Sequence, residues 1–301
     1  MGGPNSIRRT YWQALKNFNE HQLTDVAAAL TYYATMSLFP GLLLALTLLG
    51  VFGNQGLVEN AVDYVTRHGA DPTTARVVKS VLRSMLNSSA KGVGIALVVA
   101  IALGLNAVSG AFAAAGRALN RVFSVEEDRG FVHKRLVNLA IAAVVMTLLI
   151  VVLASMFLGG QIANDLFENT IGLGSTAATI WSYARFPLAL LVALLVYALV
   201  YAYAPDLEER KVRIFTPGGM TGVAVWILAS VGFFVYVKNF STYGTAYGIA
   251  GAMIILLLWL WLGACSFLLG AEINVEFDRR KERRRASKTA AVKPEAEAAA
   301  P

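Results

Sequence analysis

Sulfur chemistry is nearly absent from this chain. Among 301 residues there is one cysteine, Cys265, so no intrachain disulfide can form. Histidine is almost as scarce: His21, His68 and His133 stand in separate segments, with no H-E-x-x-H and no Cys/His ligand pair, which argues against the common metal-centred hydrolases. No G-x-x-x-x-G-K-[ST] sequence occurs, so an ATPase motor within the chain is not expected, and no cofactor motif is present. Charge is also sparse. Only 15% of the residues are charged, against about a quarter in ordinary globular domains.

What replaces charge is long apolar sequence. The chain is 56% hydrophobic with a mean hydropathy of +0.57. Six runs stand out, at Met36–Gly53, Gly92–Ala115, Leu136–Gly160, Phe186–Ala204, Gly218–Val237 and Gly248–Gly270. A hydrocarbon layer of about 30 Å takes about 20 helical residues to cross. The fold expected is therefore all-α, a polytopic transmembrane helix bundle of about six spans. Residues 1–25 form an interfacial N-terminal segment, 26–277 the membrane domain and 278–301 a basic tail. Because residues 1–25 are mostly polar, targeting is expected through the first spans rather than a cleavable signal peptide.

Lys and Arg alternate between the runs. Arg8, Arg9 and Lys16 precede the first; Arg117, Arg121, Arg129, Lys134 and Arg135 follow the second; Arg210, Lys211 and Arg213 follow the fourth; eight more lie in the tail. Gln161–Ala184 holds none. The positive-inside rule then places both termini in the cytoplasm. The segment 54–91 carries five basic residues against that pattern, and Val58, Val62 and Val65 sit at helical spacing. An amphipathic helix there, between spans 1 and 2, relaxes the conflict. A second amphipathic stretch, Tyr11–Phe18, precedes span 1.

Several polar residues in or beside the runs are candidates for function. Asp25 stands where the first helix enters the membrane, and it either binds a proton or cation or starts the helix. Tyr32 and Tyr33 follow, as cavity lining or interface anchors. Pro40 should kink or break this helix near Leu38–Phe39. Asn106, deep in the second run, wants a partner across a helix interface or lines a route. Tyr197 and Tyr201 share a face, as an aromatic ridge or, more simply, a belt near the cytoplasmic surface. Between the second and third runs, Arg117, Arg121, Glu126, Glu127 and Arg129 concentrate both signs of charge. Ser124 with Glu127 fits a capping box that would start the next helix. Glu272 lies at a helix C-terminus, where the dipole disfavours acids, and Arg121 or Arg117 is its expected partner. Gly263 and Gly270, two turns apart, can admit a close neighbour.

Taken in order, Asp25-Val-Ala-Ala-Ala-Leu-Thr-Tyr-Tyr33 with Ser37-Leu-Phe-Pro40, Asn120-Arg121 with Glu126-Glu127 and Arg129, Tyr243-Gly244, and Trp259 with Gly270-Ala-Glu272 resemble the YihY/BrkB family of bacterial inner-membrane proteins. The resemblance covers about residues 10–277. It implies a six-span fold and an inner-membrane location, and it carries no catalytic residue onto this chain. Some members bear the label ribonuclease BN, but the His/Asp metal constellation of such a nuclease is missing here. The expected activity is that of a transporter or flippase-like carrier of lipid or another amphipathic envelope molecule. The alternative is a non-transporting envelope-integrity or scaffold protein. Arg279–Lys288 reads as a contact for anionic lipid headgroups rather than for nucleic acid, and Lys293–Pro301 as disordered.

Overall fold

The computed structural model describes residues 4–52, 66, 76, 79–80, 93–157, 174–239 and 242–298. All regular structure among them is helical: α1 Pro4–Glu20, α2 Leu23–Phe52, α3 Val93–Phe123, α4 Phe131–Phe157, α5 Gly174–Tyr203, α6 Pro217–Asn239 and α7 Thr242–Ala298. Among the described residues, five stretches are long and apolar enough to cross a membrane: Ile101–Phe123, Phe131–Leu153, Thr179–Tyr203, Pro217–Val237 and Met253–Ser287. At 30 residues, or about 45 Å, α2 has the length for a sixth.

The expected amphipathic helix within 54–91 lies outside the described residues, apart from Thr66, Arg76, Lys79 and Ser80, which are helical. Pro40 does not break α2, which runs on to Phe52. The tail also departs from expectation. Helix α7 continues to Ala298, because Ala, Arg, Lys and Glu dominate its last turns and all are strong helix formers.

The chain divides into two compact units. The first comprises Met1–Tyr33, Ala114–Gly130 and Tyr197–Pro301; the second comprises Ala34–Ala113 and Phe131–Val196. In the first, Leu23, Leu119, Val122, Val223, Leu268 and Ile273 are almost wholly buried. Helices α6 and α7 cross here at glycine. A Cβ on Gly218 would fall on the Gly270 carbonyl and lie 2.6 Å from Asn274 Cγ; one on Gly270 would lie 2.6 Å from the Tyr201 hydroxyl. Only hydrogen fits at that crossing, and small residues at membrane helix interfaces permit such approach. Asn274 Oδ1 then accepts from the Gly218 amide at 2.8 Å, satisfying a donor that the first turn of α6 leaves free. The neighbour expected for Gly270 is thus α6, while Gly263 meets the Trp226 ring.

In the second unit Val108, Ile141, Ala142, Val145, Val192 and Leu194 form the packed interior. Arg185 Nη1 donates to the Met156 carbonyl at 3.1 Å, placing a cation at the last turn of α4, where the helix dipole favours it. Large apolar side chains such as Leu153, Ile180, Phe186, Leu228 and Phe234 remain exposed along the spans. Apolar surface on that scale suits a hydrocarbon solvent rather than water.

Candidate functional site

Two polar clusters stand in the first unit, each built by a break in helix. The first begins where α3 ends. Ser124 adopts a left-handed φ of 56° and its amide bonds back to the Arg121 carbonyl, while Val125 N–H reaches Asn120 O at 3.0 Å. Ser124 therefore closes α3 instead of starting the next helix, which begins at Phe131. The expected capping box fails because the Glu127 carboxylate is taken by another partner. Arg129 Nε and Nη2 donate to its two oxygens at 2.6 and 2.9 Å, a bidentate fork.

The same guanidinium reaches the end of α5. It donates to the carbonyls of Tyr203 at 3.3 Å and Ala204 at 2.9 Å, and its Nε lies 3.4 Å from Asp206. Asn120 completes the knot, donating to Glu127 and accepting the Asp206 amide at 2.8 Å. Glu127 raises the Arg129 pKa further through its hydrogen bond, with Glu127 and Asp206 charge adding to it. The Arg129 side chain is only 7% exposed, so this is a buried clamp and not a surface pair.

The second cluster forms where α1 folds back on α7. Gln22, with φ 51°, makes the turn into α2. Helix α1 then lies against α7 through regularly spaced contacts. Arg280 donates to Thr10 at 3.2 Å, and the Tyr11 and Phe277 rings meet edge to face at 5.6 Å. Asn17 donates to Glu276 at 3.0 Å, and His21 Nδ1 lies 2.5 Å from Glu272 Oε1. Arg279 pairs with Glu276 at 3.1 Å. Glu272 is wholly buried, and its second oxygen, Oε2, has no hydrogen-bond partner among the described residues. Its partner is thus His21, not Arg117 or Arg121, because α1 occupies the face of α7 that the arginines were expected to reach.

The other candidates fall outside these clusters. Asp25 is exposed in the first turn of α2, its amide bonded to Gln22 O, as a helix-starting acid would be. Tyr32 and Tyr33 are exposed and meet edge to face at 5.5 Å, with the Arg117 guanidinium 5.2 Å from the Tyr33 ring centre. Arg121 and Glu126 are exposed. Asn106 accepts a hydrogen bond from Arg135 within the second unit. Tyr197 and Tyr201 form no surface belt. Tyr201 is buried, both rings pack on Phe267, and Tyr201 OH donates to the Phe267 carbonyl at 2.5 Å.

The sequence alone gives no site role to His21, Asn17 or Asp206, and Asn120 enters it only as part of the family motif. Helical spacing held a signal for the first two: Thr10, Asn17 and His21 fall 7 and 4 residues apart, which sets these polar groups on one face of α1 and the turn that follows it.

The model of the family described as virulence factor BrkB matches residues 14–294. A putative ribonuclease-like protein, YfkH of Bacillus subtilis (strain 168), is 29% identical over 271 residues, covering 90% of this chain and 95% of that protein. A UPF0761 membrane protein of Aeromonas salmonicida (strain A449) is 26% identical over 85% of this chain and 84% of its own. A UPF0761 membrane protein of Alteromonas mediterranea is 25% identical over 93% of this chain and 91% of its own. No solved structure matches.

Proposed function

The chain belongs to the virulence factor BrkB family of membrane proteins, and from that premise we propose that it is a carrier of lipid or another amphipathic envelope molecule. The observation that carries this reading is Glu272. An ionisable side chain buried in a membrane-length helix is expensive, and such residues mark substrate or ion pathways more often than scaffolds. Here the cost is higher still, because one carboxylate oxygen is left without a partner. The class of cargo is suggested by Arg117 and Tyr33. An exposed guanidinium over an exposed phenol ring offers a contact for an anionic headgroup beside an apolar-tolerant surface.

The test is reconstitution into vesicles carrying fluorescent analogues of phosphatidylglycerol and phosphatidylethanolamine and a native lipid extract. Protein-containing vesicles should expose inner-leaflet label to an impermeant quencher faster than empty ones, and Glu272→Gln should abolish the difference. Equal rates with and without protein across the panel would refute the carrier reading.

The proposal includes an inner-membrane location with both termini cytoplasmic and the basic tail against anionic lipid, following the distribution of Lys and Arg. Single cysteines at Asn5 and Ser287, placed in a Cys265→Ala background, should resist an impermeant thiol reagent applied to intact cells, whereas one at Ser175 should react. Labelling at 287 from outside would overturn the orientation.

A further inference from the structure

The buried end of the second cluster is a carboxyl in need of a proton. With Glu272 ionised and His21 neutral, a full negative charge sits at zero exposure with Oε2 unsatisfied. An acid in that setting is relieved by protonation. The geometry also supplies a route for the proton. The His21 side chain is 30% exposed while its Nδ1 touches the wholly enclosed carboxyl, so one imidazole connects the molecular surface to the interior. Imidazole has two nitrogens, so it can take a proton on one while giving up a proton from the other.

We propose that Glu272 is the proton-binding site of the carrier, loaded and unloaded through His21, so that cargo movement is coupled to a proton. This rests on the carrier reading. In the loading step a proton from solvent binds His21 Nε2 while the proton on Nδ1 passes to Glu272 Oε1; the imidazole ends neutral in its other tautomer, and the carboxyl ends neutral. Unloading reverses both transfers, and no bond between heavy atoms forms or breaks.

Among the described residues the charged groups facing the site are few. From the turn after α1 comes His21, with Asn17 of α1 beside it; from α7 come Glu276 and Arg279, already paired with one another. Asp25 of α2 is turned outward, and α6 meets α7 through Gly218 and Gly222. Glu276 is therefore compensated within the cluster by Asn17 and Arg279, and Glu272 is the group left to exchange.

The experiment is infrared difference spectroscopy of the purified full-length protein in lipid nanodiscs, stepped between pH 5 and 9. A protonated-carboxyl band should appear and vanish with pH, shift on carbon-13 labelling of glutamate, disappear in Glu272→Gln and persist in Glu276→Gln. In His21→Gln the band should remain while its response to a pH jump slows at least tenfold. A variant that does not fold leaves the parent's own readout. With nitrogen-15 histidine, and only His21, His68 and His133 to assign, the His21 tautomer signal should change at the same pH as the labelled band. A band that ignores pH, or one that survives Glu272→Gln, overturns the site. Cargo movement that proceeds without the band rejects the proton and keeps the carrier. A titrating band with no cargo movement rejects the coupling and the carrier together.

Discussion

Arg129 offers the sharpest energetic test of the fold. Replacing it with alanine removes a bidentate pair with Glu127, the approach to Asp206 and two donors to the carbonyls that end α5. Glu127 and Asp206, 20% and 17% exposed at their side chains, would then face each other without a cation. Breaking a buried pair by deleting one partner costs about 3–5 kcal/mol, and removing the fork from two such carboxylates belongs in the upper half of that range. Arg129→Lys keeps the charge but cannot span both Glu127 oxygens and both carbonyls, so about 2 kcal/mol should be lost. Equilibrium unfolding in mixed micelles, followed by tryptophan fluorescence, measures both variants. The folded-state pKa of Arg129 is raised above the already strongly basic value of a free guanidinium, so its contribution is fully present at neutral pH and is lost only as pH rises into strong alkali. The penalty should accordingly be the same from about pH 6 to pH 9. A cost for Arg129→Ala below about 1 kcal/mol would place the group among exposed ion pairs and refute the clamp.

Other substitutions separate packing from function. Gly218→Ala forces a methyl into backbone at the α6–α7 crossing and should cost about 3 kcal/mol, whereas Gly232→Ala, with open space around it, should be neutral or stabilising by up to about 1 kcal/mol in the same unfolding assay. Ser124→Gly should stabilise by about 0.5–1 kcal/mol, since φ 56° is strained for serine and free for glycine; a loss would reject the capping role. Asp25→Asn should cost under about 1 kcal/mol and leave vesicle transport intact, because the exposed acid serves only the first turn of α2. Transport that vanishes in this variant at full protein level would return Asp25 to the pathway.

Apolar runs of about 20 residues read directly as helices, because a membrane offers the backbone no other way to satisfy its polar groups. The α6–α7 crossing was half legible: Gly270 marked a close approach, but nothing local names Gly218 as the other side. Charge pairing was the least legible. Arg129 and Glu127 lie two residues apart, yet their geometry depends on Ser124 entering the left-handed region and on α5 delivering Asp206 from 77 positions away. Glu272 reads in the sequence as an acid at a helix end in need of a basic partner, but α7 runs on past it to Ala298, and the partner comes from the turn after α1 rather than from Arg117 or Arg121. Asn17 and His21 thus belong with α7. Tyr197 and Tyr201 looked like an interfacial belt because i, i+4 spacing fixes a face and not what covers it.

The glycine crossing also constrains motion. With Gly218 and Gly270 in backbone contact and Asn274 latched to the Gly218 amide, α6 and α7 cannot slide along one another by a fraction of a turn without collision. They behave as a single strut with locked register. Glu272 rides on that strut, whereas His21 sits in the two-residue turn that joins α1 to α2, so the two partners of the short contact belong to different elements. A change in the conformation of that turn, rather than a shift of either helix of the strut, is what would part the imidazole from the carboxyl.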